Sequence, residues 1–256
     1  MVIALCAVVG LLVGSFLNVV AHRVPNGESV LRPRSACPAC GQEIRARDNV
    51  PVVSWLLLHG RCRDCDARIS ARYPAVELLT ALVFALLAWR VGPEPALPAF
   101  LYLGAIGVAL AVIDLDVKRL PNAITLPSYV VAPVLLGAAA LAEGDPGAWV
   151  RAMLAGAALY AFYFVLVLVY PAGMGFGDVK LAGILGMYLG WLGWDVLLIG
   201  AFLGFLLGGV LGGALMIAGR ATRKSAIPFG PFMLGGVLVA VLTGGALVDA
   251  YLGTFA

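Results

Sequence analysis

Two aspartates sit where an ionised side chain is expensive. Asp114 closes an apolar run from Leu101 to Ile113, and Asp178 directly precedes another apolar run. Ionisable groups at hydrocarbon depth are costly and usually functional. When two carboxylates share one site, one keeps a proton and the other stays charged. A charged carboxylate can activate water while a protonated partner polarises a carbonyl, which is the chemistry of amide hydrolysis without a metal or a covalent intermediate.

Each aspartate also has a simpler interpretation. Asp178 ends the segment Gly173-Met174-Gly175-Phe176-Gly177-Asp178, where it could merely cap the next helix. The glycines of that segment, Gly175 and Gly177 among them, allow a tight turn and a close approach to another part of the chain. Asp114 and Asp116 form a D-x-D pair, which binds a divalent metal in some transferases. Positions two apart do not share a helix face, so Asp116 is interpreted as a secondary, water-facing acid.

Four cysteines form a second candidate site. Cys37 and Cys40 make one C-x-x-C pair, Cys62 and Cys65 make another, and 21 residues separate the pairs. Four thiolates at such spacing predict a structural zinc site with no open coordination position. Two disulfides and a catalytic redox pair are the competing interpretations. Cys6 lies in an apolar stretch and is expected to be a packing residue.

The elements that must position these residues are apolar helices. The chain has 62% hydrophobic and 12% charged residues and a mean hydropathy of +1.00, whereas soluble domains carry about 25% charged residues. A span needs about 20 apolar residues. We therefore predict an all-α, polytopic membrane bundle of about eight transmembrane helices. The apolar stretches cover residues 2–20, 75–92, 98–113, 124–142, 150–170, 179–193, 196–218 and 229–250.

The basic residues predict an orientation. With residues 21–74 in the cytoplasm, fifteen of the 17 Lys and Arg residues fall inside, Arg223 and Lys224 included, and only Arg90 and Arg151 fall outside. Reducing conditions there favour thiols over disulfides. Two spans separate Asp114 from Asp178, so both aspartates are expected on the same cytoplasmic side of the membrane. The first stretch lacks a basic leader segment and is interpreted as a retained helix.

Histidine chemistry finds little support. His22 and His59 are the only histidines, and neither lies in a metalloprotease or serine-hydrolase motif. We assign a role to neither.

The order of short motifs along nearly the whole chain resembles the bacterial type IV prepilin leader peptidases. The residues that carry the resemblance are Gly14-Ser15-Phe16-Leu17-Asn18-Val19-Val20, Pro33-Arg34-Ser35, Cys37-x-x-Cys40-Gly41, Asp48-Asn49-Val50-Pro51, Gly60-Arg61-Cys62-x-x-Cys65, Ile69-Ser70-x-Arg72-Tyr73-Pro74-x-x-Glu77, Asp114-x-Asp116, Leu120-Pro121-Asn122 and Gly175-x-Gly177-Asp178. Each motif is weak alone, but their order and spacing are specific.

The resemblance implies a function for each region. Asp114 and Asp178 would be catalytic, and prepilins or pseudopilins would be cleaved after a glycine on the cytoplasmic face of the inner membrane. Members with the cysteine loop also methylate the new N-terminus with S-adenosylmethionine, whose binding residues here are unknown. The implied organisation is a first transmembrane helix (1–20), a methyltransferase-associated four-cysteine loop (21–74) and a peptidase domain (75–256). Membrane lipid is an expected partner, and nucleic acid is not.

Two alternatives stay open at this point. One is a peptidase without methyltransferase activity, in which the zinc loop only docks substrate. The other is a non-enzymatic membrane transporter or assembly scaffold whose carboxylates bind protons or cations.

Overall fold

Helices form the regular secondary structure of the described residues, and the cysteine loop between α1 and α3 is mostly irregular. The computed structural model describes residues 1–171, 173–220, 222 and 227–253, so Arg223 and Lys224 lie outside the described residues. No β-strand occurs within those ranges, which confirms the predicted all-α class. The helices are α1 Val2–Arg23, α2 Val53–Leu57, α3 Arg72–Val91, α4 Leu97–Val117, α5 Asn122–Glu143, α6 Pro146–Val169, α7 Phe176–Leu192, α8 Trp194–Ile217 and α9 Gly230–Gly253.

Each predicted apolar stretch corresponds to one long helix. Six helices are long and apolar enough to cross a membrane by length and composition, namely α1, α3, α4, α5, α6 and α8. Helix α7 has 17 residues, and the apolar part of α9 in Gly230–Gly244 is also short. The chain is therefore a polytopic membrane protein, and the count of eight spans stays a prediction.

Two helices extend beyond the apolar stretches that predicted them, and both extensions include candidate site residues. Helix α4 runs past the predicted end at 113 as far as Val117, where Lys118 takes a left-handed conformation with φ 53°. Both Asp114 and Asp116 are therefore helical. Helix α7 begins at Phe176 rather than 179, because Asp178 caps its first turn through the backbone N–H of Gly175.

One compact unit comprises Met1–Pro93 and Leu101–Ala109. Helices α1 and α3 pack against each other there, with very little space between their backbones. A Cβ atom on Gly10 or Gly14 would lie 2.7 Å from the Cα of Ala81 or Glu77, respectively. Small residues of this kind let membrane helices approach closely. The loop with the four cysteines leaves the end of α1 and returns at the start of α3.

The other unit comprises Glu94–Phe100 and Leu110–Ala256. Its centre is α7, whose residues from Val179 to Trp191 are almost all buried. The guanidinium of Arg151 on α6 donates hydrogen bonds to the carbonyls of Gly190 and Trp191, both at 2.7 Å. That contact satisfies carbonyls at the C-terminal end of α7 which the helix itself leaves unpaired. Both ends of α7 are thus fixed by specific polar contacts.

Candidate functional site

Asp114 lies buried in the last turn of α4, with only 5% of its surface exposed. Its Oδ2 accepts a hydrogen bond of 3.0 Å from the backbone N–H of Gly230, the first residue of α9. A Cβ atom at position 230 would lie 2.8 Å from that same oxygen. The absence of a side chain at Gly230 therefore lets the N-terminus of a helix reach the carboxylate, where backbone N–H groups favour negative charge.

Asp178 is held in a similar way at the start of α7. It is 8% exposed, and its Oδ2 accepts a hydrogen bond of 3.1 Å from the backbone N–H of Gly175. Gly175 has extended backbone angles as the N-cap residue. Asp178 therefore does cap helix α7, but the cap engages only one of its two carboxylate oxygens.

Leu120 connects the two aspartates. A Cβ atom on Gly177 would lie 3.1 Å from Leu120 Cβ, and one on Gly230 would lie 3.4 Å from Leu120 Cδ2. The leucine therefore fills the space between the starts of α7 and α9, and Asp178 and Asp114 lie close enough to interact electrostatically. The ends of α4, α7 and α9 converge, and they bring the two sequence-predicted carboxylates into one buried site.

The start of α5 fixes the start of α7. The Lys180 ammonium donates to Asn122 Oδ1 at 2.8 Å and lies 5.1 Å from the centre of the Phe176 ring. Tyr129 donates from its hydroxyl to the carbonyl of Lys180 at 2.7 Å. The Leu120-Pro121-Asn122 motif thus has a structural explanation, because Leu120 packs beneath the site and Asn122 holds its neighbouring lysine. Asp116 is exposed on another face of α4.

Sequence reasoning missed the contribution of the segment before α9. Gly230 follows Ile227-Pro228-Phe229 and precedes Pro231, a glycine flanked by prolines just ahead of an apolar run. The Phe229 ring packs 5.3 Å from that of Phe205, which in turn stacks 5.4 Å from Tyr163. A glycine at a helix start indicates that the backbone can approach another group closely there, but nothing in the local sequence links Gly230 to Asp114.

The four predicted zinc ligands also come together. The Sγ atoms of Cys37, Cys40, Cys62 and Cys65 all lie within 4.8 Å of one another, and those of Cys37 and Cys65 are 3.8 Å apart. Four thiolates at Zn–S bonds of about 2.3 Å in a tetrahedron are separated by roughly 3.8 Å. The four thiols are unbridged. This donor set and spacing fit a structural zinc ion.

The two cysteine pairs are copies of one structural unit. In the first, Cys37 N–H donates to Gln42 O, Gly41 N–H to Cys37 O and Ile44 N–H to Ser35 O. The same three bonds recur 25 positions later, linking Cys62 to Ala67, Asp66 to Cys62 and Ile69 to Gly60. The residue after each second cysteine is left-handed, with φ 73° at Gly41 and φ 59° at Asp66. The sequence signal was a repeat of C-x-x-C followed by I-x-A-R.

Ion pairs join the two copies. The Arg63 guanidinium forms a bidentate contact with Asp48, with distances from 2.6 to 3.0 Å, and Arg45 contacts Asp64 at 3.0 Å. The hydrogen bond from Arg63 lowers the pKa of Asp48 below its usual value. Backbone N–H groups of Cys40 and Ala39 lower the pKa of Cys37 to about 7. These hydrogen bonds favour the charged forms of Asp48 and Cys37, whereas at Cys65 the backbone hydrogen bond of Ala67, which lowers the pKa, is outweighed by the hydrogen bonds with the other thiols, which raise the pKa to about 12.

A strained turn between the two cysteine pairs is hydrogen-bonded to α3. Val52 has φ 61° and ψ −50°, and the N–H of Val53 donates to the carbonyl of Pro51 at 2.6 Å. This is a γ-turn with a positive central φ, which is rare and unfavourable for a β-branched residue. The buried Glu77 carboxylate on α3 accepts the N–H of Val52 at 2.7 Å. Glu77 therefore stabilises a backbone conformation that the sequence alone disfavours.

Comparison with known proteins assigns both parts of the chain to one family. The model described as the bacterial peptidase A24 N-terminal domain matches residues 8–91, and the model described as the type IV leader peptidase family matches residues 99–217. No solved structure gives a significant match.

Relatives match over almost their full length. A protein of Stutzerimonas stutzeri named prepilin leader peptidase/N-methyltransferase is 37% identical over 97% of this chain and 93% of its own. A protein of the same name from Bacillus subtilis (strain 168) is 32% identical over 95% of both chains. A third, from Neisseria gonorrhoeae, is 37% identical over 90% of this chain and 86% of its own. The similarity therefore covers the aspartate site and the cysteine loop together.

Proposed function

The chain belongs to the type IV leader peptidase family, and from that premise we propose that it cleaves the leader peptide of type IV prepilins or pseudopilins. It then N-methylates the newly exposed N-terminal residue. The observation that carries the peptidase activity is the buried pair of Asp114 and Asp178 at the converging ends of α4 and α7. Support for the methyltransferase activity comes from relatives that carry both activities in their name and match the cysteine loop as well.

Asp114 and Asp178 divide the acid and base roles. Backbone N–H groups of Gly230 and Gly175 each hold one Oδ2 atom. Among the described residues, no hydrogen-bond partner engages the Oδ1 atom of either aspartate. Those oxygens are available for substrate and water. The charged carboxylate takes a proton from the attacking water while the protonated carboxyl donates its proton to the scissile carbonyl oxygen. The carboxyl that took the proton from water then gives it to the leaving amine, and the other carboxylate recovers its proton from the tetrahedral intermediate as the carbonyl forms again. Cleavage of the peptide bond thus consumes one water and needs no covalent intermediate.

The pair acts at the cytoplasmic face of the inner membrane, after a glycine of the substrate. The bias of basic residues toward the loop between α1 and α3 and toward the start of α5 supports this orientation. A prepilin whose leader is cut next to a hydrophobic helix would present its scissile bond at that depth. Apolar helices around the site would receive the helix of the substrate.

The cysteine loop serves the second activity. Cys37, Cys40, Cys62 and Cys65 would hold a zinc ion, which would give rigidity to a loop that has few buried apolar residues of its own. S-adenosylmethionine supplies the methyl group that is transferred to the new N-terminal amine. Residues that bind it are not assigned by any motif of the chain. Peptide cleavage must come first, because the amine does not exist before it.

The test replaces Asp114 or Asp178 with Asn in the full chain in membranes, with Asp116→Asn as the matched control. We expect cleavage of prepilin, followed by a gel shift, to fall by between about a hundredfold and ten-thousandfold in the first two variants. Asp116→Asn should cleave normally, because that side chain is exposed away from the site. Normal processing by both Asp114→Asn and Asp178→Asn would refute the assignment. A mature N-terminus that stays unmethylated when S-adenosylmethionine is supplied would refute the transferase.

A further inference from the structure

A cavity of about 320 Å³ opens where α1 meets the loop that follows it. One wall is a single face of α1, and the other is formed by Val30, Leu31, Pro33, Arg34 and Ser35 together with Asn49 and Pro51. Ligand sites in proteins generally have volumes of about 300–1,000 Å³. The cavity contains none of the aspartates or cysteines discussed above, and neither proposed reaction gives it a role.

The α1 wall is apolar over most of its length. Leu12, Phe16 and Val19 lie at helical spacing along it, and Leu12 and Phe16 are 58% and 48% exposed. On the opposite wall, Leu31 is 81% exposed. Since α1 is apolar enough to span the membrane, its residues in this wall face hydrocarbon or the border of the headgroup region. This half of the cavity suits an acyl chain.

The end of the cavity near the loop carries positive charge. Arg23, in the last turn of α1, and Arg34 both line it, and no Asp or Glu does. Arg23 donates to the carbonyl of Ser29 at 3.0 Å, which uses only part of its guanidinium. Arg34 is 84% exposed and lies 3.9 Å from Glu43, itself 64% exposed. Such a solvated ion pair is weak, so Arg34 can exchange it for an anion.

We propose that this cavity binds one anionic phospholipid, with its phosphate between Arg23 and Arg34 and an acyl chain along Leu12 and Phe16. The order of the groups along α1 matches a bilayer leaflet, because Arg23 lies about 6 Å beyond Val19 in the helix direction. Basic pockets at membrane helix ends recognise anionic headgroups in this way. S-adenosylmethionine fits less well, because its sulfonium and ribose hydroxyls would meet no carboxylate there.

The experiment uses the full chain purified in a zwitterionic detergent. Native mass spectrometry would count the molecules of phosphatidylglycerol retained, against phosphatidylcholine of the same chain length. We expect the protein to retain one molecule of phosphatidylglycerol at low lipid concentration. Arg34→Gln should retain it about fivefold more weakly, because each basic residue near the membrane surface contributes roughly 1 kcal/mol to anionic lipid binding. Leu31→Ser should also weaken retention. Arg68→Gln is the control, since Arg68 is an arginine of the same loop outside the cavity.

Three results would overturn the proposal. Equal retention of phosphatidylcholine would remove the role of the arginines. Equal weakening by Arg34→Gln and Arg68→Gln would mean that the net charge of the loop, rather than the cavity, attracts the lipid. Displacement of the lipid by an equal concentration of inorganic phosphate or S-adenosylmethionine would identify the cavity as a site for that smaller ligand.

Discussion

The cysteine cluster and the aspartate site are built in opposite ways. Cys37 and Cys65 are 28 positions apart in the sequence, are held by turns and backbone hydrogen bonds, and lie at least partly exposed to solvent. Asp114 and Gly230 are 116 positions apart and meet only because three helices converge. A local site depends on the residues between its ligands, whereas a convergent site depends on the packing of the whole bundle. Changes in one region should therefore spare the other.

Replacement of one of the four clustered cysteines should give the largest difference between the effects on methylation and on leader cleavage. In Cys62→Ser the tetrahedral donor set is incomplete, so we expect zinc to be absent and methylation of the mature N-terminus to be lost. Leader cleavage should stay within about threefold of normal, because the unit that holds the aspartates contains none of the four clustered cysteines. Zinc content, cleavage and N-terminal mass are measured on the same membranes, with rates compared on a free-energy scale.

A chelator offers an independent version of the same comparison. It removes the metal without changing a side chain, and it should reproduce the phenotype of Cys62→Ser. Cys6→Ser is the matched control, because Cys6 is a buried packing residue of α1. Loss of cleavage in parallel with zinc would show that the two regions are not independent.

Gly230→Ala should affect only the convergent site. The new Cβ would meet Asp114 Oδ2 at 2.8 Å, so the carboxylate must move or lose its hydrogen bond from the helix N-terminus. We expect kcat for leader cleavage to fall about tenfold to a hundredfold, since small displacements of a catalytic group are that costly. Zinc content and methylation of an already cleaved pilin should not change.

Gly235→Ala on the same helix is the control for Gly230→Ala. A Cβ atom at position 235 would meet Leu207 Cδ1 at 3.5 Å, an ordinary contact. If both alanine variants lost cleavage equally, the effect would come from general damage to α9 rather than from Asp114.

The same contrast explains what the sequence could predict. The cysteine ligands follow from their spacing, and Asp114 and Asp178 follow from counting the helices between them. Gly230 does not, because nothing local links a glycine ahead of the last helix to a carboxylate on α4. Helix α7 starts earlier than its apolar run because of a cap formed by Asp178 itself. The turn at Val52 was also missed, since part of what stabilises a valine with positive φ is a hydrogen bond to Glu77, 25 positions away.

Glu77 makes the cysteine region less local than the contrast with the aspartate site implies. Its carboxylate on α3 accepts the N–H of Val52 in the cysteine loop, so one turn of the local region depends on helix packing. Glu77→Gln keeps the size but replaces a charged acceptor with a neutral one. Charge-assisted hydrogen bonds are roughly twice as strong as neutral ones, so we expect the turn to lose about 1 kcal/mol of stabilisation. Because that free energy corresponds to a factor of about five in an equilibrium constant, hydrogen exchange at the Val52 amide should become about fivefold faster.

Exchange at other amides serves as the internal control for Glu77→Gln. The amides of Cys37 and Cys62, whose bonds lie within each cysteine unit, should exchange at normal rates. Unchanged exchange at Val52 would show that the γ-turn forms without the carboxylate. Faster exchange throughout the loop would show instead that α3 organises the entire cysteine region.

The smallest expected effect tests the similarity of the two cysteine units themselves. Asp66 occupies with φ 59° the position that Gly41 occupies with φ 73°, and a side chain costs backbone energy in that region. Asp66→Gly should therefore stabilise the zinc-bound loop by about 0.5 kcal/mol, after the entropy of a more flexible unfolded chain is subtracted. The reciprocal Gly41→Asp should destabilise it by a similar amount, because the space around Gly41 is open and only its backbone angle resists a side chain. Rates of zinc transfer to a competing chelator measure both changes. Equal and opposite changes in the stability of the zinc-bound loop would mean that the turn of each cysteine unit contributes to the metal site independently, as expected for a local site. A change in leader cleavage by either variant would contradict the independence of the two regions.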